Sequence, residues 1–119
     1  MISDERFSKK EHLLKSRDFS KVYKKGLAGR SDGVILYCLA NALEHNRLGF
    51  SIGSKNIKRA TSRNRIRRLF KEVYRKSKSR LKSGFDIVLV VRKDINATIS
   101  YDSATDAFLK LAKEARLTA

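Results

Sequence analysis

The sequence predicts a single α+β domain, with helices covering one small mixed sheet in the order helix, strands, helix, strand, helix. Three observations predict it. Residues 34–40 (VILYCLA) and 85–92 (FDIVLVVR) are apolar on both faces, the pattern of central strands. Residues 47–53 (RLGFSIG) alternate, with Leu48, Phe50 and Ile52 on one face and Gly49, Ser51 and Gly53 on the other. Around them, three stretches gather apolar residues at three- and four-residue steps, the period of an amphipathic helix. The chain has 119 residues, 41% of them hydrophobic, which suffices for one core; no repeat or interdomain linker interrupts it.

Residues 1–12 are expected to form a loose basic arm, with Leu13 and Leu14 as its first anchor. Ser16 is placed to cap a short helix carrying Phe19, Val22 and Tyr23 on one face. Lys24 and Lys25 lie at its end, where the helix dipole favours cations, and Gly26 offers a left-handed stop. Two readings stay open for Phe19 and Tyr23: core aromatics, or platforms held at the surface. Residues 27–33 form a turn-rich connection with room for a very short strand. The strands at 34–40 and 47–53 are expected to pair as an antiparallel hairpin. Glycines on one face of the second would let a helix or ligand approach its backbone. Cys38 reads as a small buried residue. Ser100 is placed to cap a last helix with Ala104, Ala107, Phe108, Leu111, Ala112 and Ala115 at helical spacing. That helix is nearly neutral and reads as packing.

Charge is concentrated in residues 55–82, which hold 13 Lys/Arg and one acid, Glu72, and supply +12 of the chain's +16. Such a density repels itself unless an anion neutralises it. The stretch is nonetheless helical in pattern. Its start is expected between Lys58 and Ser62, with an end before Gly84. Ile66, Leu69, Phe70, Val73 and Tyr74 share one face, and Arg63, Arg67, Lys71 and Arg75 form a cationic stripe beside it. Arg63 and Arg65 sit near the helix start, where the dipole disfavours cations. The arrangement serves a polyanion rather than the helix's own stability.

Several function classes are disfavoured. No apolar run approaches the roughly 20 residues needed to span a bilayer, and the N-terminus lacks the long apolar region of a signal peptide. One cysteine excludes an internal disulfide framework and fits a reducing cytoplasm. His12 and His45 read as solvated residues of an arm and a loop. No acid, histidine or cysteine cluster suggests a catalytic site or a metal site, and no phosphate loop is present. A DNA-binding regulator would need a dimer face that is not evident. A basic ribosomal or other structural RNA-binding protein fits the charge and the small size.

At the basic stretch the sequence becomes specific. Lys55, Ala60 and SRNRIRR at 62–68 resemble the signature of the bacterial ribonuclease P protein component, with Arg63-Asn64-Arg65 matching that family's RNR motif. DFSKVYKKG at 18–26, VILY at 34–37, RLGFSIG at 47–53 and GFDIVLVVR at 84–92 resemble its first helix and its strands, in order and spacing.

The resemblance implies a sheet of about four strands with three helices in the order αβββαβα. The fourth strand would lie near 27–31, and a left-handed βαβ crossover is implied. It implies a noncatalytic subunit that joins a catalytic RNA and helps remove the 5′ leader of precursor tRNA. The RNA subunit would be bound by Lys55, Lys58, Arg59, Arg63, Asn64, Arg65 and Arg68. A leader-binding cleft would be lined by Phe19, Tyr23, Ile35 and Tyr37, with Arg67 and Lys71 reaching in. The chain itself would bind no cofactor; Mg²⁺ would belong to the RNA-containing holoenzyme, and no obligate protein partner is implied. Two positions depart from the family's habit: Tyr23 stands where Phe is common, and Lys71 where Arg is common. With this resemblance Phe19 and Tyr23 are read as stacking platforms and Val22 as core.

Overall fold

The computed structural model describes residues 7–31, 33–95 and 99–119. Its elements are α1 (Ser16–Lys25), β1 (Leu27–Ser31), β2 (Val34–Ala40), β3 (Arg47–Ile52), α2 (Ala60–Ser77), β4 (Phe85–Val91) and α3 (Tyr101–Glu114). The order is the one expected, and the short strand at 27–31 is present. The sheet runs β1-β2-β4-β3. β2 is antiparallel to both β1 and β4, while β3 runs parallel to β4, so α2 carries the crossover between them.

The expected hairpin of β2 with β3 does not form, because β4 lies between them. The reason is side-chain character. β2 and β4 are apolar on both faces and belong at the centre of the sheet. β3 has Arg47, Gly49 and Ser51 on one face and loses little by taking an edge.

One face of the sheet is sealed. Leu36, Cys38, Leu48, Ile52, Ile87 and Leu89 point into a core closed by Ile66, Phe70, Val73 and Tyr74 of α2 and by Phe108 and Leu111 of α3. Each large apolar side chain buried there stabilises the fold by roughly 1.5–3 kcal/mol. Ser100 caps α3 as expected: its Oγ accepts from the Ser103 amide at 3.1 Å. Cys38 is buried, with its thiol donating to the Ala115 carbonyl at 3.4 Å. Burial pushes that thiol up to about 11, so it is not a nucleophile at neutral pH.

Two local expectations are corrected. The N-cap of α1 is Lys15, not Ser16: the Lys15 carbonyl accepts from Asp18 at 3.0 Å and Phe19 at 3.2 Å, which makes Ser16 the first helical residue. Gly26 is extended (φ −80°, ψ 162°) rather than left-handed. Its glycine is needed for space, since a Cβ there would lie 2.5 Å from the Val22 carbonyl oxygen and 2.6 Å from that of Cys38.

Residues 1–6 lie outside the described part of the chain, but the expected loose arm is built into the fold from residue 7. A 3₁₀ turn at Lys9–Glu11 leads to Leu13, which is buried and whose amide donates to the Leu48 carbonyl at 3.0 Å. The Glu11 carboxylate is buried too. It accepts from the Tyr74 hydroxyl at 3.1 Å and from Lys78 Nζ at 3.1 and 3.2 Å, tying the segment to α2 and the turn that follows it. Burial pushes the Glu11 carboxyl up, but hydrogen bonds from Lys78 and Ser8 outweigh it and hold it below its ordinary value.

Glu11→Gln should therefore cost about 1–3 kcal/mol at neutral pH. A carboxyl depressed in the folded state stabilises the fold above its unfolded value, and that contribution is lost as pH falls through the folded value. The gap between wild type and variant, read by chemical unfolding, should close on acidification below the ordinary carboxylate range. A gap that persists there would mean that packing, not charge, carries the contact.

Candidate nucleic-acid interface

The other face of the sheet is only partly covered. Register places Tyr37, Val88 and Gly49 in one row across β2, β4 and β3, and Ile35, Val90 and Ser51 in the next. α1 crosses this face. Val22, expected as core, is fully buried with Leu13 and Val88, and Phe19, Tyr37 and Val90 pack around them. The close approach expected at a β3 glycine occurs at Gly49, where a Cβ would lie 2.5 Å from Cζ of Phe19. Arg47 fixes the helix to the sheet: its guanidinium grips Asp86 with bonds of 2.7 and 2.6 Å and lies 3.7 Å from Asp18 of α1. The hydrogen bond to Asp86, a buried acid, raises the Arg47 pKa above its ordinary value.

Because α1 is short, its aromatics lie at an edge. The ring of Phe19 is 6.4 Å from that of Tyr23, and Tyr23 meets Tyr37 edge-on at 5.2 Å. Tyr23 is 41% exposed. Two open cavities flank this run. One, of about 290 Å³, is lined by Phe19, Leu48, Gly49, Arg67, Lys71 and His12, among others. The second, of about 390 Å³, is lined by Tyr23, Tyr37, Ser51, Gly53, Asn56 and Arg92, with Val90 and Val91 behind. Arg67 and Lys71 reach the first cavity because they sit one residue past Ile66 and Phe70. The turn of helix that buries those two aims the cations at the rim.

The six expected cleft residues are thus divided. Phe19, Arg67 and Lys71 share the first cavity, and Tyr23 and Tyr37 the second. Ile35 belongs to the same face by register but is only 6% exposed and lines neither cavity. Sequence reasoning missed His12, Asn56 and Arg92. Arg92 continues the alternation of Val88 and Val90 and could have been placed on this face, whereas His12 and Asn56 belong to no periodic face and only the folded chain brings them to the rim.

The second group lies at the start of α2. Lys55, Lys58, Arg59, Asn64, Arg65 and Arg68 are exposed. Arg63 is half-buried and turns back on its own connection, donating to the Ile57 carbonyl at 2.7 Å and the Lys58 carbonyl at 3.0 Å. Arg65 donates to the Ile99 carbonyl at 3.2 Å, and Asn64 accepts from Arg67 at 2.9 Å. The first turn has no acid and no capping side chain, so the conflict between cations and dipole is real.

Fold and charge together define a small basic nucleic-acid-binding protein of the α+β class. The model of the Ribonuclease P family matches residues 7–116. The chain is 35% identical over 105 residues to the ribonuclease P protein component of Alkaliphilus metalliredigens, covering 88% of this chain and 93% of the relative. It is 38% identical over 102 residues to that of Clostridioides difficile, covering 78% and 89%. The fold superposes on the RNase P protein of Staphylococcus aureus with a TM-score of 0.79 at 25% identity, covering 92% and 98%. It matches that of Thermotoga maritima at 0.74 and 27%, covering 83% and 92%. The chain belongs to the ribonuclease P protein family. It is an RNA-binding subunit of an endoribonuclease that acts in tRNA 5′ maturation, which sets aside the ribosomal alternative.

Arg63→Ala should release the 57–59 segment while leaving the Ile66–Phe70 face packed. Loss of two carbonyl partners should cost about 1–3 kcal/mol, and amide exchange should quicken at 57–59 but not in β2 or β4. Unchanged exchange at 57–59 would show that Arg63 holds nothing in place.

Proposed function

We propose that this chain binds two RNA elements at two places. The catalytic RNA subunit is held by the connection and first turns of α2, through Lys55, Lys58, Arg59, Arg63, Asn64, Arg65 and Arg68. The single-stranded 5′ leader of precursor tRNA lies in the cleft of Phe19, Tyr23, Tyr37, Arg67 and Lys71, with Ile35 as backing. The chemistry of cleavage belongs to the RNA, with Mg²⁺ bound in the RNA-containing holoenzyme and none required by this chain. The setting is the cytoplasm.

The observation that carries the leader assignment is the open aromatic run from Phe19 to Tyr37. A core would have covered Tyr23, and the opposite sheet face shows that this chain seals a core when it needs one. An exposed aromatic run beside two cations suits a single strand: bases stack at about 1–3 kcal/mol each, whatever their identity, and phosphates meet the cations. An enzyme that trims many precursors needs such tolerance. The exposed cations at 55–68 suit a structured RNA, where phosphate contacts give salt-dependent affinity.

The test compares holoenzyme affinity for tRNA with and without a leader. Phe19→Ala or Tyr23→Ala should weaken binding of the precursor by about 1–3 kcal/mol and change mature-tRNA binding and subunit assembly little. A parallel fall in both affinities, or a melting point that collapses with them, would make these residues core and remove the leader from this cleft. Arg65→Ala with Arg68→Ala should instead weaken assembly and lower its log–log salt slope by somewhat less than about one unit per lost contact.

A further inference from the structure

We propose that His12 is a further contact for single-stranded RNA in this cleft, holding a backbone phosphate as its imidazolium, so that leader binding takes up a proton. The inference rests on the leader-cleft reading above and deepens it.

His12 lines the 290 Å³ cavity together with Phe19, Arg67 and Lys71. Its position is built rather than accidental. Its backbone forms a parallel bridge with Leu48 of β3, and the next residue, Leu13, is buried. The imidazole stacks on the Phe7 ring at 4.2 Å between centroids and 23° between planes. Phe7 leans in turn on Tyr74 of α2 at 5.4 Å. A ring held along one face presents its edge nitrogens in a limited set of directions, as a phosphate contact requires.

The charges around it decide its state. Arg67 and Lys71 face the cavity from α2, while Glu11, the neighbouring residue, lines a different cavity and acts on His12 through its charge. Among the described residues that line it, α1 and β3 contribute Phe19, Leu48, Gly49 and Phe50. Glu11 is already bound by Lys78 and Tyr74. Burial first, and Lys71 second, disfavour the imidazolium and outweigh Glu11, so His12 titrates below its ordinary value when no RNA is bound. A phosphodiester among Arg67, Lys71 and His12 reverses that balance. Its negative charge offsets Lys71 and accepts a charge-assisted hydrogen bond from the imidazolium. The His12 midpoint is then higher in the complex than in the free chain. By linkage, leader affinity must rise as pH falls from the bound midpoint toward the free one. Mature tRNA has no strand in the cleft and should show no such dependence.

The experiment uses holoenzyme assembled from this chain and its RNA subunit, titrated with precursor and with leaderless tRNA under non-cleaving conditions from about pH 5.5 to pH 8. The ratio of the two affinities should grow about tenfold toward the acid side if the midpoint moves by about one unit. His12→Gln should flatten the ratio, and His12→Lys should hold it near its acid-side value throughout. His45→Gln, at a residue that lines a different cavity, should keep the wild-type profile. A measurement that needs no variant is NMR titration of the His12 ring in the intact chain, with and without a single-stranded pentaribonucleotide, where RNA should raise the midpoint. A leader preference that is flat with pH, a slope that survives His12→Gln, or a midpoint that RNA leaves unmoved would remove His12 from the site and leave the cleft reading standing. Absence of any leader preference across the range would overturn the cleft reading, and this proposal with it.

Discussion

The packing of α2 against the sheet is the contact on which the rest of the molecule depends. Ile66, Phe70, Val73 and Tyr74 close the main core, so the helix cannot rotate without opening it. Helical geometry then leaves no freedom for the residues between them. Arg67 and Lys71, one step around, must lie at the rim of the opposite sheet face. The same helix is thus a structural wall and a cationic edge, and its place between β3 and β4 in the chain puts that edge beside Gly49 and Phe19.

The N-terminal segment is the second constraint. It covers the β3 edge through the Leu13–Leu48 hydrogen bond, and Glu11 anchors it to Tyr74 and Lys78. At the opposite edge of the sheet, the Arg30 amide of β1 donates to the Glu114 carboxylate of α3 at 3.1 Å. Both edges therefore have backbone groups engaged, which blunts the tendency of open strands to pair with other chains. In the same stroke the segment brings His12, stacked on Phe7, to the rim of the 290 Å³ cavity.

The charge distribution explains why so basic a chain still folds. The cations of α2 and of the turn after it that the fold can use have carbonyl or acid partners: Arg63 holds Ile57 and Lys58, and Lys78 holds Glu11. At the start of the exposed set, α2 carries no acid in its first turn. Repulsion of this kind is relieved by a polyanion, so RNA binding and relief of strain in the charge distribution are one event.

Much was legible in the sequence, because periodicity is a local property. The strands, the three helices, the apolar face of α2, the burial of Val22 and Cys38 and the cap at Ser100 all follow from residue types at fixed spacing. The basic helix was legible for the same reason, while the RNR triplet was read from its resemblance to the family's motif. What the sequence did not determine was anything set by the order of strands in space. The two central places went to β2 and β4, and that choice, invisible in the local pattern of 34–53, undid the expected hairpin. Likewise Ser16 and Gly26 have the residue types of a cap and a left-handed stop, but the contacts with Lys15, Val22 and Cys38 decide otherwise. Glu11 and His12 read as solvated arm residues until Tyr74, Lys78 and Phe7 meet them across the fold. Local spacing determines which face a side chain occupies; only tertiary packing decides which distant residues, and which charges, that face encounters.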